Sequence, residues 1–458
     1  MNTIYYYSNT FDSIHITDKF IRMKSFVTIH LLFISFIATS QSVDTTKGQK
    51  LSFHAQATII DQYKPAFKAK YSGTNSLTTA EESQSTITST LYAGARLWKN
   101  ANVYLNPEIS GGSGLSSALG VAASTNGESF RVGSTEPKIY LARLFMQQLV
   151  PLSKQTKYVE ADLNQLAGYL PEKYISVSFG KTSLSDYFDN NNYSHDPRTQ
   201  FMSWALMGNG AWDYPANTRG YTDAFVVEYV TPKNELRYSL ALVPTQANGN
   251  TLDYKIGKAN SSTLEYTKNY VVNSKAGAVR VLIYYTLARM GNYDESIALS
   301  PVDPDITATR KYSRSKYGFG INAEQALSKN TGVFFKTSWN DGNNETWAFT
   351  EIDRTASFGA VTKGESWKRV EDKVGLAYVI SGLSTPHKNY LKAGGKGFLL
   401  GDGALNYGAE QLAELYYSAA LIKKSLFLSG AYQFILYPGY NKDRGPVNVF
   451  SVRVHMEI

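Results

Sequence analysis

The sequence predicts an all-β chain that closes into a transmembrane antiparallel barrel of about 16–18 strands. Three observations predict it. The last twelve residues alternate strictly, with Phe450, Val452, Val454, Met456 and Ile458 on one side of an extended strand and Ser451, Arg453, His455 and Glu457 on the other. Two-faced segments of this kind recur along the chain, with short turns inside pairs and longer polar stretches between pairs. The composition is rich in Tyr (33) and Gly (35), poor in Pro (14), and slightly negative in mean hydropathy. That balance suits strands with lipid on one face, water on the other, and aromatic girdles at the rims. A single such strand fits the half-buried edge of a soluble sheet equally well, so the prediction rests on the recurrence.

The N-terminus reads as an export signal over residues 1–40. Lys19, Arg22 and Lys24 form a basic region, and Phe26 to Ala38 is an apolar stretch too short to span a bilayer well. Ala38 and Ser40 place small residues for cleavage before Gln41, and Met23 is an alternative start. Removing residues 1–40 takes away three cations and two acids (Asp12 and Asp18), lowering the net charge from +8 to +7. That is modest for this length. No basic block interleaved with aromatics stands out, so nucleic acid is excluded as a partner. The chain has no cysteine, hence no disulfide framework, thiol nucleophile or lipid-anchor thiol. No later apolar run is long enough for a spanning helix.

Residues 41–52 are polar and expected to form a flexible N-terminal segment, and a single barrel domain is expected over 53–458. In 87–97, Ile87, Leu91, Ala93, Ala95 and Leu97 oppose Thr88, Thr90, Tyr92, Gly94 and Arg96. After a turn at Trp98 to Ala101, Val103, Leu105 and Ile109 oppose Tyr104, Asn106 and Glu108, which completes a hairpin. Segments 235–243, 316–326, 333–340 and 373–380 repeat the pattern, and a last hairpin joins 412–422 to 426–436. Segments 138–149, 174–181, 221–231 and 278–289 alternate less cleanly. The stretches 111–137, 290–315, 341–370 and 385–408 are long and polar. Short turns at one end and long loops at the other are the layout of outer-membrane barrels. Residues 182–221 break the pattern. They are dense in Asp, Asn, Trp, Tyr and Arg, with a short helix expected within Phe201 to Met207, and read as a structured insertion folded against the barrel.

Catalytic signatures are sparse. His54, His195, His387 and His455 are too scattered for a metal site, and the GxGxxA match at Gly318 to Ala323 sits inside a strand with no helix after it. Neither a metal nor a cofactor is expected. The pair Asp186 and Asp189 has a spacing compatible with glycoside hydrolysis, but a chain this acidic contains such pairs by chance. Arg96, Glu108, Arg143, Arg237, Glu324, Lys336 and Arg453 fall on predicted lumen faces. Both signs of charge together with aromatics suit neutral polar solutes such as sugars. The competing role for each is an ion pair that only holds the wall together.

The insertion carries a resemblance. The run Ser194 to Met207, then Asn209 to Pro215 and Thr218 to Tyr221, resembles the carbohydrate-selective porins of Gram-negative outer membranes, the OprB type. Phe179-Gly180-Lys181 leading to Asp186-Tyr187-Phe188-Asp189, the segment Leu91 to Trp98, and Asn106-Pro107-Glu108 before Gly111 to Gly114 are similar to that family as well. The resemblance runs from about Phe53 to the end. It implies a passive, monosaccharide-preferring diffusion channel for sugars and small polar solutes, set in outer-membrane lipid, with inward-folded constriction loops and no energy coupling. It also implies that Arg and acidic residues near the constriction favour sugars. The candidates are Arg96, Glu108, Arg143, Asp186, Asp189, Asp196, Arg198, Trp212, Asp213 and Arg219. Homotrimer and monomer both remain open. One departure is the terminal Ile458, where such barrels commonly end in Phe or Trp. The alternatives are an exported β-rich glycan-binding protein or hydrolase, and a plugged barrel with a structural or adhesive role.

Overall fold

The computed structural model describes residues 48–129 and 135–458. The expected signal at 1–40, residues 41–47 of the polar segment and the middle of the 111–137 stretch lie outside the described residues. Sixteen strands close into one antiparallel barrel. They are β1 (Leu51–Lys64), β2 (Glu82–Trp98), β3 (Ala101–Gly112), β4 (Lys138–Pro151), β7 (Tyr174–Thr182), β8 (Thr222–Val230), β9 (Asn234–Ala241), β10 (Asn260–Val272), β11 (Lys275–Met290), β12 (Lys311–Ala326), β13 (Thr331–Asn340), β14 (Arg354–Gly364), β15 (Arg369–Gly382), β16 (Glu410–Ile422), β17 (Leu426–Leu436) and β18 (Val447–Glu457). The remaining two, β5 (Thr156–Val159) and β6 (Gly168–Pro171), pair only with each other. Each barrel strand neighbours its sequence neighbour, and β1 pairs with β18 in the register Thr58 opposite His455 to close the ring. Closure pairs the first strand with the last and leaves no free terminal strand, the condition for a sheet to sit in lipid.

The faces follow the alternation. On β18, Phe450, Val452 and Val454 are 47%, 51% and 40% exposed, whereas Ser451, Arg453 and His455 are buried. Period 2 sends successive side chains to lipid and lumen. Outward aromatics gather near both rims, as in the contacts of Tyr317 with Trp339 at one end and of Trp367 with Tyr417 at the other. Turns 99–100, 231–233, 273–274, 327–330, 365–368 and 423–425 are short. The exception at that end is 152–173, which holds the β5–β6 hairpin. At the opposite end lie the loops 65–81, 113–137, 183–221, 242–259, 291–310, 341–353, 383–409 and 437–446. Among the described residues of these loops there are three short α-helices: α1 (Trp204–Met207), α2 (Tyr293–Leu299) and α3 (Thr385–Lys392). Asn292 and Ser384 cap the latter two by accepting from Glu295 N and His387 N.

Two irregularities in the wall position the interior. Between β3 and β4 the register slips, with Asn106 opposite Arg143 but Pro107 opposite Leu141, so Ala142 is the extra residue of a bulge. Pro107 has no amide hydrogen to donate there. In a regular strand Tyr140 and Arg143 would point to opposite faces; the bulge turns both inward, which is why 138–149 alternates poorly in sequence. Further along, β4 pairs with β7 only from Leu144 to Pro151, because the chain leaves the wall at Thr182 to enter the barrel. Gly180 makes this exit possible. Its φ is +127°, and a Cβ there would lie 2.4 Å from the Leu144 carbonyl oxygen. Gly180→Ala is therefore expected to cost about 1–3 kcal/mol and to lower the temperature at which the folded barrel loses its fast electrophoretic migration. An unchanged transition would show that the exit tolerates a side chain.

Candidate functional site

The loop 183–221 crosses the lumen and is held to the far wall by ionisable side chains of β10 to β18. Lys336 donates to the carbonyl oxygens of Ser194 (2.7 Å) and Met207 (2.9 Å). Glu414 accepts from Met202 N (2.6 Å) and Ser203 N (3.0 Å). Arg453 donates to Pro197 O and Gln200 O, both at 2.7 Å. Glu265 accepts from Asp189 N, and Glu324 from the backbone and side chain of Asn192. Phe201 fills the gap between these contacts, edge-on to Tyr416 at 4.9 Å and tilted against Phe334 at 5.8 Å. Buried loop backbone must find partners, and charged side chains form the stronger hydrogen bonds. Glu324, Lys336 and Arg453 thus take the wall-holding role, and Arg237 joins them through Glu228 (2.9 Å) and Glu265 (3.7 Å).

The near side of the loop leaves a cavity of about 300 Å³ against β1 to β4. Glu108 is its centre on the wall. It accepts from Thr90 and Tyr140, from the Tyr221 hydroxyl (3.0 Å to each oxygen) and from Arg198 (3.3 Å). Arg198 also meets Glu128 at 3.0 Å. Burial alone would weaken the Arg198 charge, but Glu128 and Glu108 beside it hold its pKa well above the ordinary value. Burial likewise pushes Asp196 up, and Arg198 with the Arg198 amide and Thr199 hydroxyl outweighs it, leaving that carboxyl below its ordinary range. Arg143 grips Asp186 with two hydrogen bonds (2.7 and 2.8 Å) and lies 5.1 Å from the Tyr221 ring. Arg219 lies 4.1 Å above the Tyr140 ring and donates to Ser110 at 2.8 Å. The aromatic wall is Trp212 edge-on to Tyr214 (5.1 Å), with Trp204 stacked on Phe349 at 4.4 Å. The cavity is therefore lined by alternating cations and carboxylates together with aromatic rings.

Seven sequence candidates thus line one cavity with their functional groups turned toward it or toward each other: Glu108, Arg143, Asp186, Asp196, Arg198, Trp212 and Arg219. Asp189 also borders it, but its carboxylate is taken up by Asn209 and Asn322. The structure corrects two placements. Arg96 sits opposite Asn102 at the turn end of β2, away from the cavity, because its lumen position is too far along the strand. Asp213 is buried behind the rings, where it accepts from Trp347 N (3.0 Å) and Ala348 N (2.9 Å) and faces Lys316 at 3.8 Å. Burial lifts its pKa to about 6 against the pull of Lys316 and those amides. Asp213 ties loop 183–221 to loop 341–353. Sequence reasoning missed Tyr92, Tyr140, Tyr221, Glu128 and Phe349. The tyrosines were within reach, since Tyr92 falls on a lumen face and Tyr221 closes the resembling run; Glu128 and Phe349 lie in loops where no period operates.

Above the cavity, loops 341–353 and 383–409 share buried charges. Burial lifts Glu351 to about 7, with His387 and the amides of Leu400 and Leu399 opposing. Burial also pushes Asp353 up, but the 3.0 Å contact with His387 and the Lys316 charge bring it down to about 2. Folding thus favours protonated Glu351 and ionised Asp353. The Glu351 contribution is full below its ordinary 4.5 and is lost as pH rises through 7; the Asp353 contribution is present above its ordinary 3.8 and is lost as pH falls through 2. Hydrogen exchange in loop 383–409 is expected to quicken between pH 4.5 and 7, and Glu351→Gln to remove up to about 3 kcal/mol of that dependence. Identical pH trends in both proteins would remove Glu351 from this account.

A closed 16-stranded antiparallel barrel, crossed by an inward loop that leaves a charged and aromatic cavity on one side, is the build of an outer-membrane porin. The family described as carbohydrate-selective porin, OprB family, matches residues 74–458, and the chain belongs to it. Among solved structures it is similar to the high-pH structure of Pseudomonas putida OprB, with a TM-score of 0.68 at 18% identity over 89% of this chain and 94% of that one. The low-pH structure of the same protein gives 0.49 at 14% identity over 89% and 93%. The outer membrane channel DcaP of Acinetobacter baumannii gives 0.49 at 11% identity over 90% and 99%. At 18% identity the first of these shows a likeness of fold. No curated protein matches the chain in sequence. The protein is a porin of the outer membrane, a channel by family and fold.

Proposed function

We propose that the cavity between β1–β4 and loop 183–221 is the constriction of a passive channel that prefers monosaccharides and carries out no catalysis. The observation that carries this reading is the meeting of a charged rail (Arg198, Glu108, Arg143, Asp186) with the rings of Trp212 and Tyr214 in the lining of one small space. Sugar hydroxyls hydrogen-bond to charged groups more strongly than to neutral ones, and the C–H faces of a pyranose lie on aromatic rings. Five buried atoms of the lining residues have no hydrogen-bond partner among the described residues: Arg143 Nη1, Glu128 Oε2, His195 Nδ1, Asn209 Oδ1 and Trp212 Nε1. They are both donors and acceptors, as hydroxyls require. At about 300 Å³ the space stands at the low end for small-molecule sites and suits one sugar ring rather than a chain. Internal pairing of the charges keeps binding weak, which flux demands.

Liposome swelling tests this with glucose, a disaccharide, and a charged solute of similar size. Faster entry of glucose than of the other two is expected. Equal entry of a neutral and a charged solute of one size would leave a general diffusion pore, and no entry through a folded barrel would leave a plugged one.

A further inference from the structure

We infer that the β5–β6 hairpin is an internal floor of the channel, and that Leu163 at its tip sets the size limit on the periplasmic side; this rests on the channel reading above. Short turns are the rule at the periplasmic end of such barrels, and 152–173 departs from it by folding back into the lumen. Asp162 and Gln165 exchange both backbone hydrogen bonds (3.1 and 3.0 Å) around a tight turn of Leu163 and Asn164. Asn164 holds φ +53°, which asparagine tolerates.

The tip is held from three directions. Asn106 on β3, the lumen residue two before Glu108, donates to Asn164 Oδ1 at 2.9 Å. Leu166 is buried against Tyr104 and Phe145, whose rings stack at 5.1 Å. Gly94 on β2 makes room for that packing, since a Cβ there would lie 3.0 Å from the Tyr104 ring and 3.1 Å from Leu166 Cδ1. Gln49 bonds Ala167 through its backbone amide and its side chain, both at 2.9 Å. A segment fixed in this way holds one position. That position places Leu163 in the cavity lining below Arg143 and Glu108. A solute leaving the charged rail toward the periplasm therefore passes the Leu163 side chain, which has no hydrogen bond to offer.

The test is single-channel conductance in KCl together with liposome swelling over glucose, maltose and raffinose, on the full chain in three forms. In one, residues 157–170 are replaced by a Gly-Ser turn; the others are Leu163→Ala and Leu163→Trp. Leu163 makes no hydrogen bond through its side chain, so the point variants keep the barrel even if the shortened form fails to fold. The shortened hairpin is expected to raise conductance about twofold and to admit maltose. Leu163→Trp should slow glucose entry, and Leu163→Ala should speed maltose. Wild-type conductance and an unchanged solute series in the folded variants would overturn the inference. Raised conductance without any preference for sugar in the parent protein would uphold the floor while the sugar reading fails.

Discussion

Arg198→Ala is expected to make the channel cation-selective and to slow glucose entry severalfold. Arg198 is the positive centre between Glu108 (3.3 Å) and Glu128 (3.0 Å), and little of it reaches solvent. Without it, two carboxylates are left on the rail with no counter-charge between them. Removing one partner of a buried ion pair costs about 3–5 kcal/mol, so the folded barrel should also lose its heat resistance at a lower temperature. Arg198→Lys retains the charge but not the planar fork that reaches two carboxylates, and should fall between the two. The measurements are the reversal potential in a KCl gradient and the swelling rate in glucose. Reversal potentials equal to wild type would show that Arg198 only braces loop 183–221.

Lys336→Met is expected to release that loop from the wall and to replace a quiet conductance by a larger, fluctuating one. The Lys336 ammonium is wholly buried and satisfies the carbonyls of Ser194 and Met207, with Asp189 at 3.8 Å. Methionine matches the length and leaves two buried carbonyls unpaired, at about 1–3 kcal/mol each. Glu414→Gln should act in the same direction but less, since one oxygen remains to accept from Met202 N or Ser203 N. Steady conductance at the wild-type level in Lys336→Met would mean that Phe201 packing alone holds the loop.

These two residues mark how far the sequence could be read. Lys336 and Glu108 occupy equivalent places in the pattern, each an ionisable residue on the inward face of an alternating strand. One is covered by loop backbone and the other borders the cavity. The insertion 182–221 was legible as a structured break in the strand pattern, and its resemblance to the carbohydrate-selective porins placed the candidates near one another. Arg96 was misplaced because alternation assigns a face but no height along the barrel. Arg143 and Tyr140 reach the lumen together only because of the bulge at Ala142, an irregularity no period announces. The hairpin tip at Leu163 gave no signal, since a polar connection folded into the lumen and one left in the periplasm read alike.

The sequence by itself determined the barrel, the lipid and lumen faces of its strands, and the segment that would enter the interior. Those features follow from a two-residue period and local turn chemistry, which act between neighbours in the chain. Only the tertiary structure decided which inward side chains hold the loop and which face the passage. That choice depends on where loop 183–221 rests among walls far away in sequence, as in the contact of Met202 with Glu414, and backbone periodicity carries no information at that range.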